Sequence, residues 1–275
     1  MAKLEGKVAL ITGAGRGIGR EIALKLGAEG ARLVINDIDP GPAGDVAEAA
    51  RALGTEPVVV AGDVAAPDFG ERFVAAALER FGGLDIIVNN AGYIWNTTIQ
   101  NTSDEQWYAM MDVHATAPFR ILRAASDYIR SAAKLEQARG APVCRKVVNV
   151  SSVSGVYGAA TQLAYAAAKT ALIGLTRTLC KEWGRYNVTV NCVAFGHVET
   201  RLTRTLEEGP ATIEVGGREH KVGLEPETAE LLRRLTPLGR AGTTDEAAGA
   251  VYLFCIPASV YVSGQILICA GGLTL

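Results

Sequence analysis

Tyr165 and Lys169 stand four residues apart in the apolar run Leu163-Ala164-Tyr165-Ala166-Ala167-Ala168-Lys169, and Ser152 lies thirteen residues before Tyr165. On a helix, residues four apart share a face, which sets an ammonium beside a phenol. A phenol titrates near ~10 and is a poor acid or base at neutral pH. A neighbouring cation favours the phenolate and lowers that value. Proton transfer to or from a substrate oxygen then becomes feasible near neutrality. The spacing alone arises by chance in roughly one chain in four of this composition, so its meaning depends on what surrounds it.

A second constellation is Thr12-Gly13-Ala14-Gly15-Arg16-Gly17-Ile18-Gly19, between an aliphatic run and a helical stretch. Glycines let the backbone turn tightly and approach a pyrophosphate, whose charge the amides of a helix N-terminus then stabilise. The common G-x-G-x-x-G spacing does not fit, because Ile18 takes the third glycine's place. The pattern is Gly-x-x-x-Gly-x-Gly instead. A tight structural connection is the competing reading, and the strand-to-helix junction favours the phosphate site. Asp37 follows about twenty residues later, where a carboxylate accepts hydrogen bonds from an adenosine ribose and repels a 2′-phosphate. This favours NAD, with NADP the alternative because Arg16 is a candidate phosphate partner. Asp37 could equally cap the helix after Pro40. Asp63 and Val64 are candidates to flank the adenine, a solvated loop Asp being the alternative.

The elements that must position these groups read as an alternation. Strands are expected at 7–12, 31–36, 57–61, 84–89, 146–150, 188–193 and 265–268, with helices at 17–29, 103–131 and 163–185 among those between them. Ser103-Asp104-Glu105-Gln106 has capping-box spacing. Strands separated by helix-length segments imply right-handed βαβ units and a parallel, doubly wound α/β sheet. The 275 residues, 49% hydrophobic and 6% aromatic, fit one domain with a large aliphatic core. Two segments break the rhythm. Residues 132–145, with Gly140 and Pro142, extend a connection, and residues 201–235 are long and charged. Within the second, 212–222 reads as a hairpin around Gly216-Gly217. It is expected to be a substrate lid, a structural flap being the alternative.

Composition excludes several classes. The net charge of −2, with both signs interspersed, argues against nucleic acid. The five cysteines (Cys144, Cys180, Cys192, Cys255, Cys269) lack metal-type spacing and read as reduced, mostly buried thiols. No run is long and apolar enough for a membrane span, and the first residues lack the apolar core of a signal peptide. A cytoplasmic protein is expected.

Taken together, these motifs resemble the short-chain dehydrogenase/reductase family in its compact branch, and 3-oxoacyl-acyl-carrier-protein reductases within it. The resemblance covers nearly the whole chain: the glycine turn, Asn89-Asn90-Ala91-Gly92, Ser152 with Tyr165 and Lys169, Asn191-Cys192-Val193-Ala194, Leu238-Gly239-Arg240, Ser263-Gly264-Gln265 and Gly271-Gly272. It implies a Rossmann-type fold and an NAD(P)-dependent oxidoreductase acting between a secondary alcohol and a ketone. Tyr165 would be the general acid/base. Lys169 would lower its pKa and hold the nicotinamide ribose, and Ser152 would hydrogen-bond the substrate oxygen. Asn90, Ala91 and Gly92 would line the cofactor site, as would Gly196, Val198 and Thr200.

Three departures stand out. The family's fourth catalytic residue, an Asn, falls on His114. The His could keep the backbone carbonyl that anchors a water, supply an imidazole relay titrating near ~6.5, or simply pack. The usual Pro-Gly reads Phe195-Gly196, and the acid before the terminal Gly-Gly is Ala270. Ile94, Trp95, Ser154, Tyr157, Gln162 and His197 are the candidate substrate contacts. They lack a cationic cluster and suit an acyl thioester, steroid or alicyclic alcohol. The apolar C-terminus and the family resemblance imply a homotetramer. The competing function is a catalytically silent dinucleotide sensor or scaffold.

Overall fold

The computed structural model describes residues 2–205, 211–215 and 218–273. Seven short strands form one sheet: β1 (Val8–Ile11), β2 (Arg32–Ile35), β3 (Pro57–Val59), β4 (Ile86–Asn89), β5 (Arg145–Ser152), β6 (Val188–Phe195) and β9 (Ile266–Cys269). Their order is β3-β2-β1-β4-β5-β6-β9, every pair parallel. Between β1 and β4 the winding reverses, which opens a crevice beyond the carboxyl ends of the strands.

Alternation along the strands splits the core in two. Ala9, Ile11, Leu33 and Ile35 face a layer that contains α1 (Gly17–Ala28), α2 (Pro40–Ala52) and α9 (Thr244–Cys255). Val8, Leu10, Val34 and Ile87 face the other layer, with α3 (Phe69–Phe81), α5 (Ala117–Ala138) and α7 (Leu163–Trp183). Both strand faces are covered, so the runs are aliphatic throughout. No helix of the described residues is long and apolar enough to cross a membrane. All five cysteines are free; Cys192 and Cys255 are buried and the other three half-buried.

The helix expected over 103–131 is not continuous. Its capping box forms as anticipated, Ser103 accepting from the Gln106 amide and the Gln106 side chain accepting from the Ser103 amide, and α4 runs Asp104–Met111. A π-helical turn, Asp112–Thr116, then precedes α5. Pro118 is the chemical reason, since it has no N–H to give the carbonyl of His114 four residues back. The expected connection over 132–145 is also shorter. The helix continues to Ala138 because Ile129 and Ala133 still face the core. It stops where Gly140 takes a left-handed φ of 68° and the Ala141 amide bonds back to the Glu136 carbonyl.

The charged excursion carries an antiparallel pair, β7 (Ala211–Val215) with β8 (Arg218–Val222), as the hairpin reading expected; its Gly216-Gly217 turn lies outside the described residues. A parallel bridge between Thr205 and Leu224 closes the base of the pair, and α8 (Pro226–Leu235) follows.

Candidate active site

At the carboxyl ends of the strands lies one cavity of about 830 Å³ that runs from the glycine turn to Trp95. Its cofactor end is built from backbone. Gly13 and Gly17 have positive φ (62° and 54°). A Cβ on Gly19 would stand 2.0 Å from the Gly13 carbonyl oxygen, and one on Gly15 would stand 2.7 Å from a carboxylate oxygen of Asp37. Asn90 staples the turn, its amide donating to the carbonyls of Thr12 (2.9 Å) and Gly13 (3.0 Å). The α1 N-cap residue, Arg16, contributes no side-chain cap, so the first amides of α1 point into the cleft as donors for an anion. A cradle of glycines with uncapped helix amides fits a dinucleotide pyrophosphate.

Asp37 is buried at the end of β2. One carboxylate oxygen accepts from the Gly15 amide at 2.9 Å and the other from the Asp39 amide at 3.1 Å. Arg16 forms an ion pair with Asp39. Gly17, Ile18, Asp63, Val64, Ala91, Gly92, Gly196, Val198 and Thr200 line the cavity. Thr12 and Gly15 do not; both act from beneath it. The Thr12 hydroxyl accepts from the amides of Asn90 and Ala91, each at 3.0 Å, and so locks β1 to the loop after β4.

At the other end, β5 delivers Ser152 and α7 delivers Tyr165 and Lys169. The Ser152 hydroxyl accepts from the Ser154 amide (3.2 Å), opening the short helix α6 (Val153–Tyr157), and lines the same cavity as the Tyr165 phenol. The Lys169 Nζ lies 5.7 Å from the Tyr165 ring centroid and donates to the Val150 carbonyl at 2.8 Å. Tyr165, Lys169 and His114 are all buried, which reverses one expectation. Burial pushes the phenol up to about 12, opposed only by the neighbouring Ser152 hydroxyl. The ammonium, itself brought down to about 8 by burial, is aimed at Val150 rather than at the phenol oxygen. The expected imidazole titration near neutrality is also overturned. Burial first, then the charge of Lys169, hold His114 well below its ordinary value, the bond to Tyr93 opposing them.

Of the anticipated substrate contacts, Trp95 and Ile94 form part of the cavity wall, and Ser154, Tyr157, Gln162 and His197 do not. Ser154 is buried, its amide donating to the Ser152 hydroxyl at the start of α6, and Tyr157 points to solvent, 44% exposed. Gln162 is tied into a bridge with Thr97, and the His197 ring is half-buried, its Nδ1 without a hydrogen-bond partner among the described residues. Sequence reading missed Tyr93, Asp112, Leu202 and Arg201, which do line the cavity. Arg201 and Leu202 open the segment expected as a lid, and Asp112 stands two residues before His114; Tyr93 carried no signal of its own.

Comparison with known proteins places this geometry. A family model described as short chain dehydrogenase matches residues 7–211. A 3-oxoacyl-acyl-carrier-protein reductase of Synechocystis sp. is 34% identical over 277 residues, covering 100% of both chains. The enzyme of that name from Vibrio cholerae is 35% identical over 270 residues, covering 98% of each. The solved structure of a gluconate 5-dehydrogenase from Burkholderia cenocepacia, in complex with NADP and tartrate, superposes with a TM-score of 0.84 at 31% identity, covering 98% of this chain and 96% of that one. The chain therefore belongs to the short-chain dehydrogenase/reductase family and is an NAD(P)-dependent oxidoreductase acting between CH–OH and C=O.

Proposed function

We propose that the protein interconverts a secondary alcohol and a ketone carried on an apolar body, with NAD(H) preferred and a 3-oxoacyl thioester the leading substrate class. The observation that carries this reading is that Ser152, Tyr165 and Lys169 line one cleft together with the glycine cradle, the Lys169 ammonium 5.7 Å from the phenol ring. The nicotinamide, when bound, supplies or takes the hydride. In reduction Tyr165 gives its phenolic proton to the carbonyl oxygen, while Ser152 donates a hydrogen bond to the charge developing there. The Lys169 ammonium stabilises the phenolate left behind. In oxidation the phenolate takes the carbinol proton and the same contacts run in reverse.

The NAD preference is supported by Asp37 at the ribose position and by Asp39, which pairs with Arg16 and offsets its charge. The apolar body is supported by Tyr93, Ile94, Trp95, Val113 and Leu202 around the substrate end, and the thioester by the names of the relatives. Residues 200–236 act as the lid. Thr212 of β7 reaches the cavity, and Val222 of β8 is buried in the apolar cluster that Tyr93, Trp95 and Leu202 join. The working unit is a cytoplasmic homotetramer.

A turnover screen of acyl thioesters, steroids and cyclic alcohols or ketones, each with both cofactors, tests the reading. NADH is expected to support faster reduction than NADPH, and equal rates reject the preference. Tyr165→Phe should lose at least about a hundredfold in kcat with NADH binding intact; an active Phe variant would sink the assignment.

A further inference from the structure

Arg201 lines the cleft yet has no part in the scheme above. It is the second residue of a turn that the sequence builds firmly after β6. The Thr203 amide donates to the Thr200 carbonyl at 3.0 Å, and the Thr203 hydroxyl accepts from the Thr200 amide at 2.9 Å. A parallel bridge between Val198 and Gly242 ties the start of this segment to the chain before α9. The backbone at Arg201 is thus fixed, while its guanidinium makes no ion pair or hydrogen bond with any described residue. Although Arg201 is exposed at the rim, partial burial and then the charge of Arg16 lower its pKa, with Asp39 and Asp37 opposing. An unpaired cation so placed gains from an anion that enters the cleft.

The glycine cradle supplies the place for that anion. A Cβ on Gly17 would stand 3.8 Å from Cγ2 of Thr200, so the turn that carries Arg201 faces the cradle at the first residue of α1. Three cations line the cavity among the described residues: Arg16, Lys169 and Arg201. Arg16 is held by Asp39, and Lys169 stands at the far end, donating to the Val150 carbonyl. A pyrophosphate carries more charge than the roughly +0.5 that a helix N-terminus offers, and Arg201 is the cation left to meet it. A 2′-phosphate is the poorer partner, because Asp37 and Asp39 flank the ribose position and repel it.

We propose that Arg201 is a phosphate ligand supplied by the lid, its guanidinium taking pyrophosphate oxygens of the dinucleotide that the amides of α1 leave free. The planar fork of an Arg suits two such oxygens at once. Pyrophosphate is common to NAD(H) and NADP(H), so Arg201 strengthens the binding of both and discriminates between neither. The inference rests on dinucleotide binding in this cleft; it is independent of the NAD preference and of the substrate class.

Equilibrium titrations without substrate test it, with NADH, NADPH and ADP-ribose as probes. Arg201→Gln should weaken NADH and ADP-ribose alike, each at least about tenfold, and NADPH by the same factor within about threefold. Arg201→Lys, which keeps the charge and loses the fork, should bind NADH at least about threefold more tightly than Arg201→Gln. Native affinity for NADH in Arg201→Gln overturns the proposal. A loss confined to NADPH also overturns it, since Arg201 would then read the 2′-phosphate. So does a loss for NADH with ADP-ribose unchanged, which puts Arg201 on the nicotinamide half. A Lys variant no better than the Gln variant assigns the loss to a disturbed turn and rejects the proposal too. Should Arg201→Gln fail to fold, Arg201→Met is read by the same criteria. Absence of turnover in the substrate screen, or equal native affinities for NADH and NADPH, would remove the proposed reaction or its cofactor preference and leave these titrations standing.

Discussion

Lys169 carries the titration that sets the working pH. Burial lowers its ammonium to about 8 and raises the Tyr165 phenol to about 12. Reduction needs the phenol protonated and the ammonium charged. The first condition holds through the whole ordinary range, while the second is lost as pH rises through about 8. The rate of ketone reduction, as kcat/KM, should therefore be level below about pH 8 and fall about tenfold per unit above it. No limb from His114 should appear near neutrality. A pH–rate profile measures this, and a level profile to about pH 10 would remove Lys169 from the proton step. The same burial bears on stability. The folded-state value lies below the ordinary 10.5 of a free lysine, so the unfolded chain binds more protons between the two. The contribution of this group to stability consequently rises with pH from about 8 to 10.5.

At the scale of elements, the site depends on how closely α6 sits on α7. A Cβ on Gly155 would stand 2.7 Å from the Lys169 Cβ and 2.8 Å from its carbonyl carbon. The Thr170 hydroxyl donates to the Gly155 carbonyl at 2.7 Å, and the Ser151 hydroxyl to the Lys169 carbonyl at 2.9 Å. Gly155→Ala must push α7 away from β5, costing about 1–3 kcal/mol of stability and separating Ser152 from Tyr165. Denaturant unfolding alongside kcat checks both, and native values for the two would show that α6 yields instead. This dependence also explains what was legible in the sequence. The Tyr165–Lys169 spacing and the glycine turn are local, and helix and turn geometry alone fix what they do. The aliphatic strands declare the layered sheet because burial on both faces leaves no polar alternation. The direction in which α6 points Ser154 and Tyr157, and the angle at which a π-helical turn presents His114, depend on contacts between segments far apart in the chain. Neighbourhood in sequence to Ser152 or Tyr165 therefore pointed to side chains that do not line the cavity, whereas Arg201 and Leu202, at the start of the expected lid segment after β6, do.

At the scale of the whole molecule, the sheet ends on an edge that a single chain leaves open. β9 presents Ile266, Leu267 and Ile268 half-buried, with no charge or proline among them. Leu253, Val260 and Tyr261 nearby in sequence are exposed, Tyr261 fully so. An unprotected apolar edge of this kind is a pairing surface for a second copy. A separate set, Tyr108 of α4 and Phe119 of α5, is exposed on the helical layer. If each patch pairs with its counterpart on a second copy, the two faces together generate a closed tetramer, whereas one alone generates only a dimer. The edge also matters to chemistry, because the Cys269 carbonyl of β9 accepts from the Gly196 amide at 3.1 Å, tying the loop on the cleft's rim to the strand that assembly would cover. Light scattering should give a mass about four times the 28.9 kDa of the chain. Val260→Lys with Tyr261→Asp should halve that mass by breaking one interface, with a fall in turnover as β9 loses its cover. A native mass of 28.9 kDa would refute the assembly, and a dimeric variant with undiminished turnover would uncouple the edge from the active cleft.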